Sequence, residues 1–116
     1  MVDRRAHPVT LELEAHNPTD NHHRAYVLDV GQDLLRHWVV TLRFGRAGRT
    51  GRGGRVLTYA VADREAARRF VRARLKRRLT ARRRIGCAYR LTRAAVGEGE
   101  DLAAWVPMEL LARDGA

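Results

Sequence analysis

The chain of 116 residues has one cysteine, Cys87, and no run of about 18 apolar residues. A lone cysteine cannot form an internal disulfide, which excludes a small scaffold held together by disulfides. Without a long apolar run no membrane-spanning helix is expected. Residues 1–5 also lack the apolar stretch of a signal peptide. We therefore expect a cytoplasmic protein with no membrane partner.

Acidic residues are almost absent from the middle of the chain. Residues 43–93 hold 18 of the 23 lysines and arginines but only two acids, Asp63 and Glu65, whereas both flanking segments are net negative. Such clustering of one charge sign is typical of polyanion-binding proteins. A GC-rich genome would explain why every basic residue except Lys76 is arginine, but not why acids are missing there. A solvated basic face without a ligand remains the alternative.

Alternation of apolar and polar residues predicts four strands, over residues 9–15, 24–31, 36–45 and 55–62. A fifth strand is expected over residues 86–91, and loops are expected over 16–23 and 95–101. In the third strand the residues Trp38, Val40, Leu42 and Phe44 share one face. Phe44 is therefore either a core residue or a stacking surface at the end of its strand.

An amphipathic helix is predicted over residues 63–84. Asp63 is a favoured N-cap, and Glu65 lies in the first turn, where the helix dipole favours acids. The apolar stripe that should pack on the sheet repeats every four residues: Ala67, Val71, Leu75 and Leu79.

The apolar segment 102–112 contains Trp105 and is interrupted by Pro107. It predicts an ordered appendage, over residues 94–116, that docks on the core. The expected architecture is a single α+β domain over residues 1–116: a twisted antiparallel sheet of four to five strands with one long basic helix packed across it.

Four consecutive x-Gly-Arg triplets occupy residues 44–55, between the third and fourth predicted strands. Glycine at every third position permits positive φ and a tightly turned backbone. Disordered segments rich in arginine and glycine usually lie in long low-complexity regions without flanking core strands. We therefore expect an ordered hairpin connection that holds its arginines at fixed points.

The order of these features resembles the WGR domain, a family named for a Trp-Gly-Arg triplet at the end of a strand. The resemblance covers about residues 8–92. The positions that match the family pattern are Asn17, Asn21, Arg24, Tyr26, Trp38, Gly45, Arg46, Gly48, Gly51 and Gly86. The family tryptophan is Phe44 in this chain, which can still stack but has no ring N–H donor.

The resemblance implies a stand-alone bacterial WGR module, with association with the nucleoid as one location. In poly(ADP-ribose) polymerases the WGR domain helps to bind DNA strand breaks, and the family tryptophan packs on a sugar near a DNA end. Carried over, Phe44 would stack on nucleic acid and Arg46 would contact its backbone. The implied ligand is DNA rather than RNA, at ends, breaks or other non-regular forms.

Arginine suits a phosphate backbone because its planar fork donates paired hydrogen bonds and stays charged. Phe44, Arg46, Arg49 and Arg52 are the first candidates for nucleic-acid contacts. The second group consists of Arg43, Arg55, Arg68, Arg72 and Lys76. Arg68, Arg72 and Lys76 are helical neighbours of like charge, which either a phosphate backbone or counterions would neutralise.

Two other interpretations apply to the whole chain. A protein-interaction module would use an exposed apolar segment around Trp105, with acidic partners on the basic face. An enzyme is not expected, because the five histidines lack metal-ligand spacing and Cys87 has no evident base partner, so no cofactor or metal is predicted. A further hypothesis places the acidic segment of Glu98, Glu100 and Asp101 against the basic face, in competition with nucleic acid.

Overall fold

The computed structural model describes residues 8–17, 19, 22–46, 54–80 and 88–114. The strands within these ranges are β1 (Val9–Asn17), β2 (His22–Gln32), β3 (Trp38–Arg46), β4 (Arg55–Val61) and β5 (Arg90–Val96). The helices are α1 (Arg64–Arg78), α2 (Leu102–Trp105) and α3 (Met108–Asp114). None of the helices in the described part of the chain has the length and apolar character needed to cross a membrane.

The strands form one antiparallel sheet in the order β4-β3-β2-β1-β5. Strands β1 to β4 follow one another as a meander. The chain then passes through α1 to the opposite edge, where β5 pairs with β1. The predicted α+β class, with one long basic helix on an antiparallel sheet, is confirmed.

The core lies between one face of the sheet and the helices. The predicted inward set of β1 is buried, with Val9, Leu11 and Leu13 at 0% exposure. The stripe on α1 meets it, since Ala67, Val71 and Leu75 are fully buried as well. Burying a leucine or valine side chain stabilises the fold by about 1.5–3 kcal/mol. This shared core fixes how α1 is placed over the sheet.

The turn between β2 and β3 is organised by Asp33. Its Oδ1 accepts hydrogen bonds from the backbone N–H groups of Leu35 and His37, both at 2.9 Å. The bond from His37 is the main reason that the pKa of Asp33 lies below its usual range. Arg36 in this turn has φ of 63°, outside the strand region. The third strand therefore begins at Trp38, not at residue 36 as predicted.

Helix α1 ends earlier than predicted, at Arg78 instead of residue 84. Asp63 caps its start as expected, with Oδ1 accepting from Ala66 N–H at 2.7 Å. At the other end Thr80 donates both its N–H and its hydroxyl to the carbonyl of Arg77. This local bonding replaces the next helical turn.

The fifth strand was placed too early, since β5 spans Arg90–Val96 instead of residues 86–91. Leu13 pairs with Leu91 and Glu12 with Arg93, so Thr92 is an extra residue that forms a bulge. The Thr92 hydroxyl donates to the carbonyl of Glu12 at 3.1 Å. A bulge breaks side-chain alternation, so alternation gives little indication of where this strand lies.

The C-terminal segment docks on the core, as predicted, and Pro107 separates α2 from α3. Trp105 and Leu110 are at 0% exposure and Val106 is at 1%. Trp105 itself is therefore buried in the fold, whereas Met108 of the same segment is 79% exposed, and the protein-interaction alternative stays a prediction. The segment carries enough apolar side chains to bury itself against α1 and β5.

Candidate nucleic-acid interface

Arginines gather at the end of the sheet where β2 begins and β3 ends. The register places Arg24 opposite Arg46, and Phe44 opposite Arg55. Side chains two residues apart on a strand share a face, so Phe44 and Arg46 both lie on the face that carries α1. The described part of the chain offers no carboxylate partner to Arg24 or Arg55. Like charges in opposite positions of a sheet repel.

Phe44 lies at the margin of the core. It is half-buried, its ring centroid is 6.0 Å from that of Tyr26, and the guanidinium of Arg55 lies 5.6 Å from the ring centre. Phe44 therefore combines the two predicted roles. One part of the residue packs on the core, and another part remains exposed as a surface on which a ligand could stack.

Two glycines approach each other where the x-Gly-Arg connection leaves the sheet. A Cβ added to Gly45 would lie 3.0 Å from the Cα of Gly54, so a larger residue would push the two limbs apart. Arg49 and Arg52, first candidates for contacts, belong to residues 47–53 and lie outside the described residues.

The last turn of α1 reaches the same end of the sheet. It carries Lys76, Arg77 and Arg78, where cations favour the helix dipole. Arg78 stacks on Tyr26 and Tyr89, with its guanidinium carbon 4.2 and 5.8 Å from the ring centres. We call this surface the basic end; its members are Arg24, Phe44, Arg46, Arg55, Lys76 and Arg78.

Sequence reasoning did not place Tyr26, Arg78 or Tyr89 in the site. A signal was available for Arg78, which lies three positions after Leu75 and one before Leu79, within the apolar stripe of the helix. A cation in that stripe must either reach solvent or stack on rings of the core. Here it stacks.

Arg43 lies on the other face of the sheet. Its cross-strand neighbour is Val56, which is 51% exposed, and Arg43 itself is exposed. Arg43 and Phe44 thus lie on opposite faces of β3, as the alternation of the sequence predicted. The candidate contacts on β3 are therefore divided between two faces.

Arg68 and Arg72 have partners within the fold. Arg68 forms an ion pair with Glu65 and donates to the carbonyl of Ala104 at 3.4 Å. Arg72 donates to the carbonyl of Ala103 at 3.2 Å. These carbonyls end α2 and lack helical partners of their own. The two arginines thus clamp α2 onto α1, and their like charge needs no polyanion; their nucleic-acid contacts stay a prediction.

Acidic side chains gather at the opposite end of the sheet. We call this surface the acidic end; its members are Asp33, Asp63, Glu65, Glu100 and Asp101. Glu100 forms an ion pair with Arg64 and accepts from Trp105 Nε1 at 3.1 Å. Hydrogen bonding from Arg64, followed by that from Trp105, lowers the pKa of Glu100.

Asp101 caps α2 through a hydrogen bond from Ala103 N–H at 3.1 Å. Glu100 and Asp101 are thus engaged at the acidic end, away from Arg24 and Arg46. The hypothesis that they compete with nucleic acid at the basic face is not supported by this placement.

Three side chains form a chain of close contacts on the face of the sheet opposite α1. His16 Nδ1 lies 2.8 Å from His23 Nδ1, and His16 Nε2 lies 2.7 Å from a carboxylate oxygen of Glu14. Within the described ranges, no group of three or more histidine, cysteine, aspartate or glutamate side chains is arranged to hold a metal ion.

Comparison of the chain with models of protein families, with curated proteins and with solved structures gives no match. The resemblance to the WGR domain is therefore carried by the residues of this chain alone and stays a prediction.

Proposed function

We propose that this chain binds nucleic acid, DNA in preference to RNA, through its basic end and the adjoining x-Gly-Arg connection. The observation that carries the proposal is the convergence of β2, β3, β4 and the last turn of α1. These elements bring arginines together at one end, while the acids of the described chain collect mainly at the other.

Three cations of the basic end lack a carboxylate partner within the described part of the fold. Arg24, Arg55 and Lys76 have no carboxylate partner among the described residues, in contrast to Arg64 and Arg68 at the other end. Like charges side by side repel and so destabilise the fold, and a bound polyanion would neutralise that repulsion. Guanidinium groups stacked on Phe44 and Tyr26 have restricted orientations, so little ordering remains to be done on binding.

The expected mode of binding is electrostatic and largely independent of sequence. If the five cations of the basic end each meet a phosphate, log K falls against log salt with a slope of about −4 to −5 on duplex DNA. No asparagine or glutamine suited to base reading occurs on α1. DNA ends and breaks, which the WGR resemblance implies, are the preferred forms in this proposal.

The experiment is a fluorescence anisotropy titration with intact circular, nicked, blunt and single-stranded DNA and with RNA, at several salt concentrations. The test variant combines Arg24→Gln, Arg55→Gln and Lys76→Gln. It should bind more weakly, with a salt slope smaller by about 3. Arg36→Gln in the β2–β3 turn is the control, because it removes one positive charge far from the basic end.

The outcomes separate the parts of the proposal. Absence of binding by the unaltered protein at low salt contradicts nucleic-acid binding. Equal affinity for every form removes the preference for ends but keeps polyanion binding. A triple variant that binds like the Arg36→Gln control moves the interface away from the basic end.

A further inference from the structure

A small pocket opens between the last turn of α1 and strands β2 and β3. Its volume is about 220 Å³, and it is lined by Arg24, Ala25, Tyr26, Phe44, Gly45, Arg78 and Tyr89. Three aromatic rings and two guanidinium groups therefore surround one cavity at the basic end. The sequence predicted contacts of Phe44 and Arg46 with nucleic acid, but it did not predict a cavity beside them.

Two polar atoms of residues that line the pocket have no hydrogen-bond partner within the described structure. They are the hydroxyl oxygen of Tyr26 and Nε of Arg78, both buried. Tyr26 is at 0% exposure, and no polar or charged residue is classed as buried in the described core. A buried polar group without a partner costs stability, and phenylalanine would fill the same space without that cost. A ligand that enters beside Tyr26 would supply the partner that this hydroxyl lacks.

The chemistry of the wall suits a nucleobase. Unpaired bases stack on aromatic rings and on guanidinium planes, and they offer carbonyl oxygens and ring nitrogens to hydrogen-bond donors. The N–H of Arg78 is a donor, and the hydroxyl of Tyr26 is both donor and acceptor. Arg24, which also lines the pocket, is positioned for a phosphate of the same nucleotide.

The size of the pocket limits the ligand to one ring system. At about 220 Å³ it is smaller than the range of about 300–1,000 Å³ found for drug-sized ligands. A base within a stacked pair presents only its edges, so a base must leave the duplex to enter. We propose that this pocket receives the base of a single unpaired nucleotide, an inference that rests on the proposed nucleic-acid binding.

The test compares three short DNA duplexes of the same sequence by fluorescence anisotropy at one salt concentration. One is fully paired, one carries a single bulged thymidine, and one carries an abasic residue at the bulge. The bulged thymidine should bind about tenfold more tightly than the other two. The abasic duplex has the same phosphates and a similar bend, so the difference isolates the base.

Tyr26→Phe removes only the hydroxyl. It should remove most of the preference for the bulged thymidine over the abasic bulge, and leave the melting temperature unchanged or higher. Tyr59→Phe is the matched control, because Tyr59 lies on the same face of the sheet outside the pocket and accepts from Arg74 at 3.4 Å. It should keep the preference.

The failures of the two proposals are distinguishable. If none of the duplexes binds, the proposed function itself is wrong. If all three bind equally, nucleic-acid binding stands and the base pocket is wrong. Equal affinity for the thymidine and abasic bulges would mean that the protein reads a bent backbone. If the Tyr26→Phe variant kept its full preference for the bulged thymidine, the proposal that the pocket receives a base would also be wrong.

Discussion

The acidic end and the basic end of this sheet use arginine in opposite ways. At the acidic end Arg64 is paired with Glu100 and lies 5.4 Å from the ring centre of Trp105, so its charge serves the fold. At the basic end Arg24 on β2 lies opposite Arg46 on the adjacent strand β3, and the guanidinium of Arg55 lies over the ring of Phe44. The same side chain thus stabilises the fold at one end, whereas at the other end it places positive charges side by side.

Helix α1 connects the two ends and is adapted to each. Asp63 and Glu65 at its start complement the positive end of the helix dipole, and Lys76 and Arg78 complement the negative end. The helix therefore favours the charge arrangement of both ends. If the comparison is sound, changes at the acidic end should alter stability, and changes at the basic end should mainly alter binding.

The largest effect is expected for Trp105→Ala at the acidic end. Removing this fully buried ring should lower the free energy of unfolding by about 3–5 kcal/mol, measured by urea denaturation. Leu34→Ala is the control, because Leu34 is fully exposed and its truncation should change stability by no more than about 0.5 kcal/mol. Equal effects of the two variants would contradict the docking of the C-terminal segment.

A smaller loss is expected for Glu100→Gln, which keeps the shape of the side chain but removes its charge. At neutral pH it should cost about 1–2 kcal/mol, because the ion pair with Arg64 is lost. The folded pKa of Glu100 lies below its ordinary value of 4.5, so the stabilisation is complete above that pH and is lost as the pH falls through the folded pKa.

Urea denaturation of both proteins at a series of pH values checks this prediction. The difference between them should shrink below about pH 4.5, where Glu100 takes up a proton first in the unfolded chain and then, at lower pH, in the folded one. Glu109→Gln, at an exposed position, is the control for the loss of one carboxylate. A difference that stayed constant to low pH would mean that the charge of Glu100 is not what matters.

Gly45→Ala tests the base of the x-Gly-Arg connection. The added Cβ would meet the Cα of Gly54 at 3.0 Å, and separating the limbs should cost about 1–3 kcal/mol of stability. Nucleic-acid affinity should fall together with stability, because the same approach positions Phe44 and Arg46. Thermal unfolding and anisotropy measure the two effects; unaltered values in both would show that the close approach is not required.

The smallest effect separates the two ends most clearly. Arg24→Gln should raise stability by up to about 0.5 kcal/mol at low salt, because it removes the repulsion from Arg46. The gain should disappear at high salt, where the charges are screened. The same variant should bind DNA more weakly. Loss of stability at low salt would instead assign Arg24 a structural role.

The sequence was most informative where one rule governed a whole element. Strict alternation in β1 and the four-residue repeat of α1 predicted the buried residues correctly, from Val9 to Leu13 and from Ala67 to Leu75. Asp63 identified the helix start because capping is local. These features depend on neighbours along the chain, which a single sequence contains.

The sequence was least informative where distant residues decide the outcome. The bulge at Thr92 depends on the register with β1, and the burial of Trp105 depends on contacts with Arg64 and Glu100. The pairing of Arg72 with the end of α2 likewise needs the docked chain. The pocket around Tyr26 was missed for the same reason, since its walls come from four separate segments.

Strand β1 is second from the edge of the finished sheet, although it is the first strand in the chain. Its outer neighbour, β5, arrives late, and the bond from Thr92 to Glu12 joins residues 80 positions apart. Contacts so distant in sequence slow folding. On the ribosome the strands β1 to β4 emerge before β5, so one edge of β1 is unpaired at that stage. An unpaired strand edge can form hydrogen bonds with other chains. We expect this protein to depend on its last strand for escape from aggregation during synthesis.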